Sequence, residues 1–326
     1  MTTPIRIGLL GASKIARGAV IAPARADGRF VISAVAARDP ARARAYADEH
    51  GVAAVADDYA ALVRRDDVDV VYNALPPAGH AQWTIAALEA GKPVLCEKPF
   101  ARDAGEARAM VAAAQAANLP LLEAFHYRFH NVMLRAEALL RSGALGALTG
   151  GGAEFHVTIA RTPGELRWSA EQGGGGLMDL GCYPVHALRT LFGAEPTIAR
   201  ATAVFEDGVD SDMSAELVFP GGATARIACS MTAPRFSAWL RLDGEKGRMD
   251  IVNFLAPQMG CRFTTTVRGE TTEHPVDGPT TYAAQLTHLH AVLTGETAPL
   301  TGGADAIGNM TTIDAIYAAA GRPARG

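Results

Sequence analysis

The chain has 326 residues, more than the roughly 100–200 typical of a single domain, so its length predicts two domains. With 49% hydrophobic and 20% charged residues, the composition is that of a folded globular protein and excludes extended disorder. The 30 basic and 34 acidic side chains give a net charge of −4, which provides no basic field for a phosphate backbone and argues against a nucleic-acid partner.

The cysteines and the apolar segments indicate the cellular compartment. Cys96, Cys182, Cys229 and Cys261 are far apart and form no CxxC pair, which is typical of reduced, buried thiols and not of a disulfide framework or a zinc site. The first residues lead into an apolar strand without the charged and apolar regions of a signal peptide. No unbroken apolar stretch is long enough to span a membrane. We therefore expect a cytoplasmic protein with no membrane association and no bound metal.

Residues 1–122 alternate strand-like apolar runs with Ala-rich amphipathic segments. Parallel strands joined by helices produce this alternation, because each crossover returns the chain to the same edge of the sheet. The pattern predicts a doubly wound parallel sheet, an α/β domain of the dinucleotide-binding type. Its predicted strands are Ile5–Leu10, Phe30–Ala36, Val68–Asn73, Pro93–Cys96 and Pro120–Ala124.

Residues 123–326 have a different pattern. Short runs of β-forming residues alternate with Gly, Asp and Pro turns, which is typical of antiparallel strands. We predict a second, α+β domain with a large, mostly antiparallel open sheet. Its predicted helices lie near Val132–Ser142, Gly181–Phe192, Tyr282–Leu293 and Ala304–Ala320. Its predicted strands are Leu148–Ile159, Thr197–Phe205, Ser214–Phe219, Ala223–Met231, Ala238–Leu242, Arg248–Val252 and Arg262–Val267.

The turn after the first strand has the pattern of a dinucleotide-binding loop. Its sequence is Gly11-Ala12-Ser13-Lys14-Ile15-Ala16. This is a GxGxxG-like loop with Ser and Ala at the second and third glycine positions. Gly11 suits a tight turn, and Ser13 and Lys14 offer backbone amides and a hydroxyl to a pyrophosphate. The alternative is a plain strand-to-helix turn, since a degenerate glycine motif alone is weak evidence.

The end of the second predicted strand favours NADP over NAD. An NAD site places an acidic residue here for the ribose diol, whereas this chain has Ala37 followed by Arg38. A guanidinium can bind the 2′-phosphate of NADP through charge-assisted hydrogen bonds. Two alternatives remain: Arg38 pairs with Asp39 or with solvent, or Asp39 itself reaches a ribose.

A proline-rich turn follows the third predicted strand. We expect Ala74, Leu75 and Pro76 to border the cofactor, because this turn lies at the carboxyl edge of the sheet. His80 begins the next helix. It either contacts the cofactor or has a capping or core role.

Glu97 and Lys98 stand where the apolar run Pro93–Cys96 ends, and Pro99 prevents the strand from continuing. Both charged side chains should therefore project at the ligand-binding edge of the sheet. The alternative is a surface salt bridge at a strand end.

Several of these motifs together resemble the glucose–fructose oxidoreductase, inositol dehydrogenase and MocA (Gfo/Idh/MocA) family. They are Gly11–Ala16, Tyr72–Pro77, His80, Ala90–Pro99 and Gly173–Tyr183. The spacing Asp179-x-x-x-Tyr183 is similar to that of the dimeric dihydrodiol dehydrogenases and the xylose dehydrogenases. Inositol dehydrogenases have histidine where Tyr183 stands.

The resemblance implies a Rossmann domain followed by an α/β domain whose open sheet often forms a subunit interface, and hence a homodimer or higher homo-oligomer. It implies that Lys98 is the catalytic lysine, that Glu97 lies beside the cofactor and that the bond before Pro99 is cis.

The resemblance also suggests substrate contacts around residues 123–130, where the two predicted domains meet. Arg128 is a candidate because similar proteins place an aromatic-Arg-Phe-His stretch next to the nicotinamide. His126 replaces a residue that is often apolar. Trp168 and His186 are further substrate candidates. The spacing of His126 and His130 also suits zinc, but no glutamate follows as in HExxH and no third ligand is evident.

Hydride transfer between an alcohol and a nicotinamide requires a group that exchanges the hydroxyl proton and a group that polarises the oxygen. We assign the first task to Tyr183 and the second to Lys98, with the reverse assignment open. Asp179 lies one helical turn before Tyr183 and either orients Lys98 or binds a substrate hydroxyl. Alternatively, Asp179 stabilises a helix N-terminus and Tyr183 is an ordinary core aromatic residue.

The sequence thus predicts an NADP-dependent oxidoreductase that acts on a CH–OH group of a carbohydrate-like substrate: a sugar, a cyclic polyol or a dihydrodiol. Two other functions use the same fold. One is an NAD-dependent glycosidase with no net redox change, and the other is a cofactor-binding regulator without catalysis.

Overall fold

The computed structural model describes residues 3–322 of the chain. The first strands are β1 (Ile5–Leu10), β2 (Phe30–Ala36), β3 (Ala54–Val55), β4 (Val70–Asn73), β5 (Val94–Cys96) and β6 (Leu121–Glu123). They pair in parallel in the order β3-β2-β1-β4-β5-β6. The strand order reverses between β1 and β4, and doubly wound sheets bind ligands at the carboxyl edge of that position. The predicted doubly wound sheet is confirmed, and β3 is an additional short strand.

Side-chain caps fix the starts of several helices. Ser13, Asp39, Asp58 and Asp103 each accept a hydrogen bond from a backbone N–H two or three residues later. The α-helices are α1 (Lys14–Ala16), α2 (Ala22–Asp27), α3 (Pro40–His50), α4 (Tyr59–Val63), α5 (His80–Glu89), α6 (Ala104–Ala117), α7 (Asn131–Arg141), α8 (Cys182–Phe192), α9 (Thr281–Leu293) and α10 (Gly303–Ala319). Two π-helical segments, Arg17–Ile21 and Leu177–Gly181, run directly into α2 and α8.

The second sheet is the larger. Its strands are β7 (Leu148–His156), β8 (Thr197–Glu206), β9 (Val209–Val218), β10 (Thr224–Ser230), β11 (Ser237–Gly244), β12 (Gly247–Val252), β13 (Arg262–Val267) and β14 (Glu270–His274). Their order is β14-β13-β12-β11-β7-β10-β9-β8. Only the β7–β10 pair is parallel among these strands, so the predicted mostly antiparallel sheet is confirmed.

The two faces of this sheet differ because side chains alternate along each strand. On one face Ala215, Ile227 and Leu240 are buried, and α8, almost wholly buried itself, packs against β7 and β10. On the other face Arg226 and Arg241 lie on either side of Gly152 in the strand register. The sheet therefore has one covered face and one polar face.

The chain forms two compact units that differ from the predicted division in one respect. The first contains the described residues up to Phe125 together with Tyr282–Ile307, and the second contains His126–Thr281 and the described residues after 307. Leu286, Leu289 and Val292 of α9 are buried in the apolar core around β1 and β2. Their burial explains why this late segment belongs to the first unit, which the division at residue 122 did not anticipate. The functional division into a cofactor domain and a substrate domain stays a prediction.

No helix within residues 3–322 is both long enough and apolar enough to cross a membrane.

Candidate functional site

The turn after β1 has a conformation that requires glycine. Gly11 has a φ of +95°, and a Cβ there would lie 3.2 Å from Leu75 Cδ2 and 3.3 Å from the carbonyl oxygen of Ala74. Ser13 follows as the N-cap, where its Oγ accepts from the backbone N–H of Ala16 at 3.3 Å. The predicted loop residues and the predicted turn after β4 therefore lie against each other.

Two side chains of helix α3 donate hydrogen bonds to the backbone of this loop. Arg42 donates from Nη2 to the carbonyl oxygen of Ala12 at 2.8 Å, and the Tyr46 hydroxyl donates to the carbonyl oxygen of Ser13 at 3.0 Å. Lys14 and Ile15 are exposed. These contacts fix the loop backbone while leaving part of its surface accessible.

Two arginine side chains, those of Arg38 and Arg42, lie near the end of β2. Ala37 is buried and Arg38 is exposed. Burial raises the pKa of Tyr59, and a backbone hydrogen bond from Arg38 and the charges of Arg38 and Arg42 oppose this rise, so both guanidinium groups lie near one phenol. The Asp39 carboxylate caps α3 by accepting from Ala41 N at 2.9 Å, which gives it a role other than a ribose contact.

Sequence reasoning missed Arg42. It lies on α3, four residues after Arg38, which precedes the helix, and this close spacing of two arginines was the available signal.

His80 joins the turns that follow β4 and β5. Its ring is fully buried, with Nδ1 2.9 Å from the carbonyl oxygen of Pro99 and Nε2 2.7 Å from that of Leu75. A carbonyl oxygen only accepts, so a neutral ring satisfies one of these oxygens and a protonated ring satisfies both. Burial lowers the pKa of His80, and the two carbonyl contacts partly offset this effect. The contacts support the core role, and a contact between His80 and the cofactor stays a prediction.

Glu97 and Lys98 follow β5, and Glu97 is not part of a simple surface pair. Glu97 is 8% exposed, and its Oε1 accepts from the Tyr72 hydroxyl at 2.6 Å. Its Oε2 accepts from the backbone N–H of Lys98 at 3.2 Å. Burial, followed by the Glu97 charge, raises the pKa of Tyr72 well above its usual value. Lys98 is partly exposed, and the Lys98–Pro99 peptide bond is cis, as expected.

Tyr282 is a second residue that sequence reasoning did not place at the site. Burial and the Glu97 charge raise its pKa to about 12, and the Lys98 charge acts in the opposite direction. The Tyr282 phenol thus lies close to both charged residues. No local pattern indicated this, because 184 positions separate Tyr282 from Lys98.

In the second unit, the 3-10 turn His126–Phe129 contacts the region around Tyr183. The Tyr183 hydroxyl lies 3.3 Å from His126 Nε2, and the Tyr127 hydroxyl lies 2.6 Å from His186 Nδ1. His126 Nδ1 also lies 2.9 Å from Thr281 Oγ1. The structure thus brings His126, Tyr183 and His186 together in a buried aromatic cluster.

Arg128 forms a buried ion pair with Glu137 of α7, whose side chain is 16% exposed. The pairing gives the guanidinium a structural partner inside the second unit. A substrate contact of Arg128 stays a prediction that this ion pair does not support.

Asp179 is bound by an arginine from a neighbouring turn. Arg167 donates from Nε to Asp179 Oδ2 at 2.8 Å, and the Asp179 charge is the main reason that the pKa of Arg167 is raised. A Cβ on Gly174 would clash with the carbonyl oxygen of Arg167, so the glycine run permits this turn to pack closely. The N-cap position of the π-helical segment belongs to Gly176 and not to Asp179.

Trp168 is anchored at the edge of the same turn. Its Nε1 donates to the carbonyl oxygen of Ile159 at 3.1 Å, and the Arg161 guanidinium lies 4.0 Å from the centre of its ring. Its substrate role stays a prediction.

Asp210 anchors the segment that precedes Tyr183, and sequence reasoning missed it. The fully buried carboxylate accepts from Leu177 N at 2.6 Å and from the Tyr317 hydroxyl at 2.6 Å. Asp210 therefore fixes the start of the π-helical segment that carries Asp179. Within residues 3–322, no cluster of three or more His, Cys, Asp or Glu side chains is arranged to hold a metal ion.

Comparison with known proteins identifies the family. Residues 5–125 match the oxidoreductase family model with an NAD-binding Rossmann fold, and residues 133–250 match the GFO/IDH/MocA C-terminal domain. The D-xylose 1-dehydrogenase (NADP(+)) 2 of Haloferax volcanii is 35% identical over 96% of each chain. The trans-1,2-dihydrobenzene-1,2-diol dehydrogenase of Mus musculus is 33% identical over 83% of this chain and 80% of its own.

A solved structure agrees with these matches. The aldose-aldose oxidoreductase of Caulobacter crescentus, complexed with glycerol, superimposes with a TM-score of 0.88 and 29% identity over 98% of both chains. The resemblance inferred from the motifs is therefore confirmed over nearly the full length. The chain belongs to the Gfo/Idh/MocA family of oxidoreductases.

Proposed function

We propose that the protein is an NADP-dependent dehydrogenase or reductase acting on a CH–OH group of a sugar, a cyclic polyol or a dihydrodiol. The observation that carries this proposal is the connected carboxyl edge of the first sheet. There the Gly11 turn contacts the Ala74–Leu75 turn, and His80 joins the latter to the turn of Lys98. Three consecutive strand ends thus form one continuous ligand-binding edge.

The residues at this edge fit NADP. A Cβ at position 11 would crowd Leu75 and Ala74. Because glycine has no Cβ, a pyrophosphate can approach the backbone of residues 11–13 closely. Arg38 and Arg42 together supply the positive charge that a 2′-phosphate requires. When bound, the nicotinamide supplies the hydride acceptor or donor.

Two side chains of the chain itself serve the proton chemistry in this proposal. The ammonium group of Lys98, which follows β5, polarises the substrate oxygen, and the Tyr183 hydroxyl exchanges the substrate proton. Asp179 binds a substrate hydroxyl in exchange for its contact with Arg167 or orients Lys98. The relatives' names support the substrate class, since they are a xylose dehydrogenase and a dihydrodiol dehydrogenase.

The same proposal includes a homo-oligomer in the cytoplasm. The polar face of the second sheet supports it, because exposed Val252 lies there beside the ion pair of Arg241 and Asp250. A self-complementary mixture of apolar and paired charged groups is typical of interfaces between identical subunits. The buried free thiols of Cys96, Cys182 and Cys229 are consistent with a reducing compartment.

A substrate panel tests the proposal. Aldoses, inositols, dihydrodiols and keto-sugars are incubated with NADP and with NAD, and formation or loss of NADPH is followed by absorbance. We expect turnover of at least one class with NADP, and near-complete loss of that turnover in Lys98→Ala. Release of an aryl glycoside's leaving group without a lasting NADPH change would identify a glycosidase. NADP binding with no turnover across the panel would identify a regulator.

A further inference from the structure

We propose that His126 is a positioning residue that accepts the proton that Tyr183 exchanges with the substrate, and that Thr281 sets the orientation of its ring. This inference rests on the proposed role of Tyr183. It assigns His126 a task different from the substrate contact expected from the sequence.

The geometry forms a short chain of polar atoms. His126 Nε2 lies 3.3 Å from the Tyr183 hydroxyl, and His126 Nδ1 lies 2.9 Å from Thr281 Oγ1. The first distance is at the long end for a hydrogen bond, and catalytic hydrogen bonds are often long before substrate binds. His126 is 8% exposed, Tyr183 is 6% exposed and Thr281 is fully buried. Both ring nitrogens of His126 therefore lie within hydrogen-bond distance of a side-chain hydroxyl.

The surrounding rings hold the phenol of Tyr183 in place. Tyr127 and Phe155 meet it edge-on, each with ring centres 5.8 Å apart. The other histidine of the cluster, His186, is bonded to Tyr127. The Tyr127 hydroxyl therefore contacts His186, and the Tyr183 hydroxyl contacts His126.

Polar and titratable side chains on three elements belong to the region of His126. Tyr183 and His186 lie on the segment that forms α8, Tyr127 and Arg128 share the 3-10 turn with His126, and Thr281 begins α9. Arg128 is paired with Glu137. Among these groups, the Tyr183 hydroxyl lies against His126 Nε2.

In alcohol oxidation, the substrate O–H bond breaks and its proton bonds to the Tyr183 oxygen, while the phenol proton moves to His126 Nε2. The carbinol C–H bond breaks, and both of its electrons leave with the hydride to bound NADP⁺. The imidazolium that results donates from Nδ1 to Thr281 Oγ1 and later releases one proton to water. Reduction of a carbonyl runs these steps in reverse.

A spectroscopic test needs neither cofactor nor substrate. The full-length protein is labelled with ¹⁵N-histidine, and the His126 signals are assigned by their absence in His126→Gln. We expect Tyr183→Phe to shift the Nε2 resonance of His126 and its titration curve, and Thr281→Val to shift the Nδ1 resonance. If Tyr183→Phe leaves both the Nε2 resonance and the titration curve unchanged, the inference is wrong.

Kinetics supply the second test. His126→Gln retains hydrogen-bonding capacity but cannot take up the proton, so we expect kcat to fall roughly tenfold or more, with little change in KM and with loss of the acid limb of the oxidation pH profile. His274→Gln is the matched control, because it makes the same substitution at a histidine that has a similar 2.8 Å bond to a threonine, Thr265, and it should leave the profile unchanged.

Loss of the Tyr183 role and loss of the His126 role give different kinetic results. If Tyr183→Phe retains full turnover, the proposed role of Tyr183 fails. If Tyr183→Phe loses turnover while His126→Gln keeps the wild-type pH profile, only the role of His126 fails.

Discussion

Replacement of Arg38 by alanine should change cofactor preference more than any other single substitution in the first unit. The side chain is exposed at the end of β2 and lies, with Arg42, near Tyr59. A charge-assisted hydrogen bond to a 2′-phosphate contributes about 1.5–3 kcal/mol. Its loss corresponds to a roughly 10- to 150-fold weaker Kd for NADP. NAD has no 2′-phosphate, so its Kd should change little.

Arg42→Ala provides a contrasting variant. Arg42 also donates to the carbonyl oxygen of Ala12 at 2.8 Å, so its removal loosens the loop itself. We expect weaker binding of both cofactors, and a smaller change in their ratio than Arg38→Ala causes. Arg44→Ala is the control, because Arg44 is exposed on the same helix two residues further on.

Isothermal titration calorimetry with NADP⁺ and NAD⁺ measures both affinities for the wild type and for each variant. The ionic strength must be the same throughout, because salt screens exposed charges. An Arg38→Ala protein whose NADP-to-NAD affinity ratio equals that of the wild type would refute the assignment of the 2′-phosphate site.

Three further predictions concern stability and are measured by urea unfolding. Gly11→Ala, which places a Cβ at positive φ, should cost about 1–3 kcal/mol, whereas Gly18→Ala, with no atom within 4 Å of the new Cβ, should cost nothing. Tyr72→Phe removes the 2.6 Å hydrogen bond to the buried Glu97 carboxylate and should cost about 1–3 kcal/mol; an unchanged midpoint would contradict this. Arg29 lowers the pKa of Asp27, so the pair stabilises the fold above the ordinary aspartate range and this contribution is lost as the pH falls through the folded pKa. Asp27→Asn should therefore reduce the acid sensitivity of unfolding, and an equal slope would rule out this contribution.

The first sheet could be predicted from the sequence because parallel strands are buried on both faces and appear as continuous apolar runs. β1 and β2 have the predicted limits, Ile5–Leu10 and Phe30–Ala36. β3 was missed because a strand of two residues, Ala54–Val55, is too short to show any periodicity. The location of α9 could not be predicted either, because a helix's apolar pattern shows that it is buried and not which sheet it covers.

The candidate site was predictable where function depends on local chain geometry. The positions of Gly11, in a turn with positive φ, and of Lys98, after the end of β5, could be predicted from their immediate neighbours. The contacts of Asp210 with Leu177 and of His126 with Tyr183 join residues 33 and 57 positions apart. Such contacts arise from tertiary packing, which one sequence without a structure does not show.

The π-helical segment Leu177–Gly181 makes this region sensitive to changes in chain length. A π-bulge accommodates an extra residue within a helix. Deleting one residue there would restore α-helical spacing and rotate Asp179 relative to Tyr183 by about 100° around the helix axis. Single-residue insertions and deletions therefore change the angle between the Asp179 and Tyr183 side chains, which no side-chain substitution at these positions does.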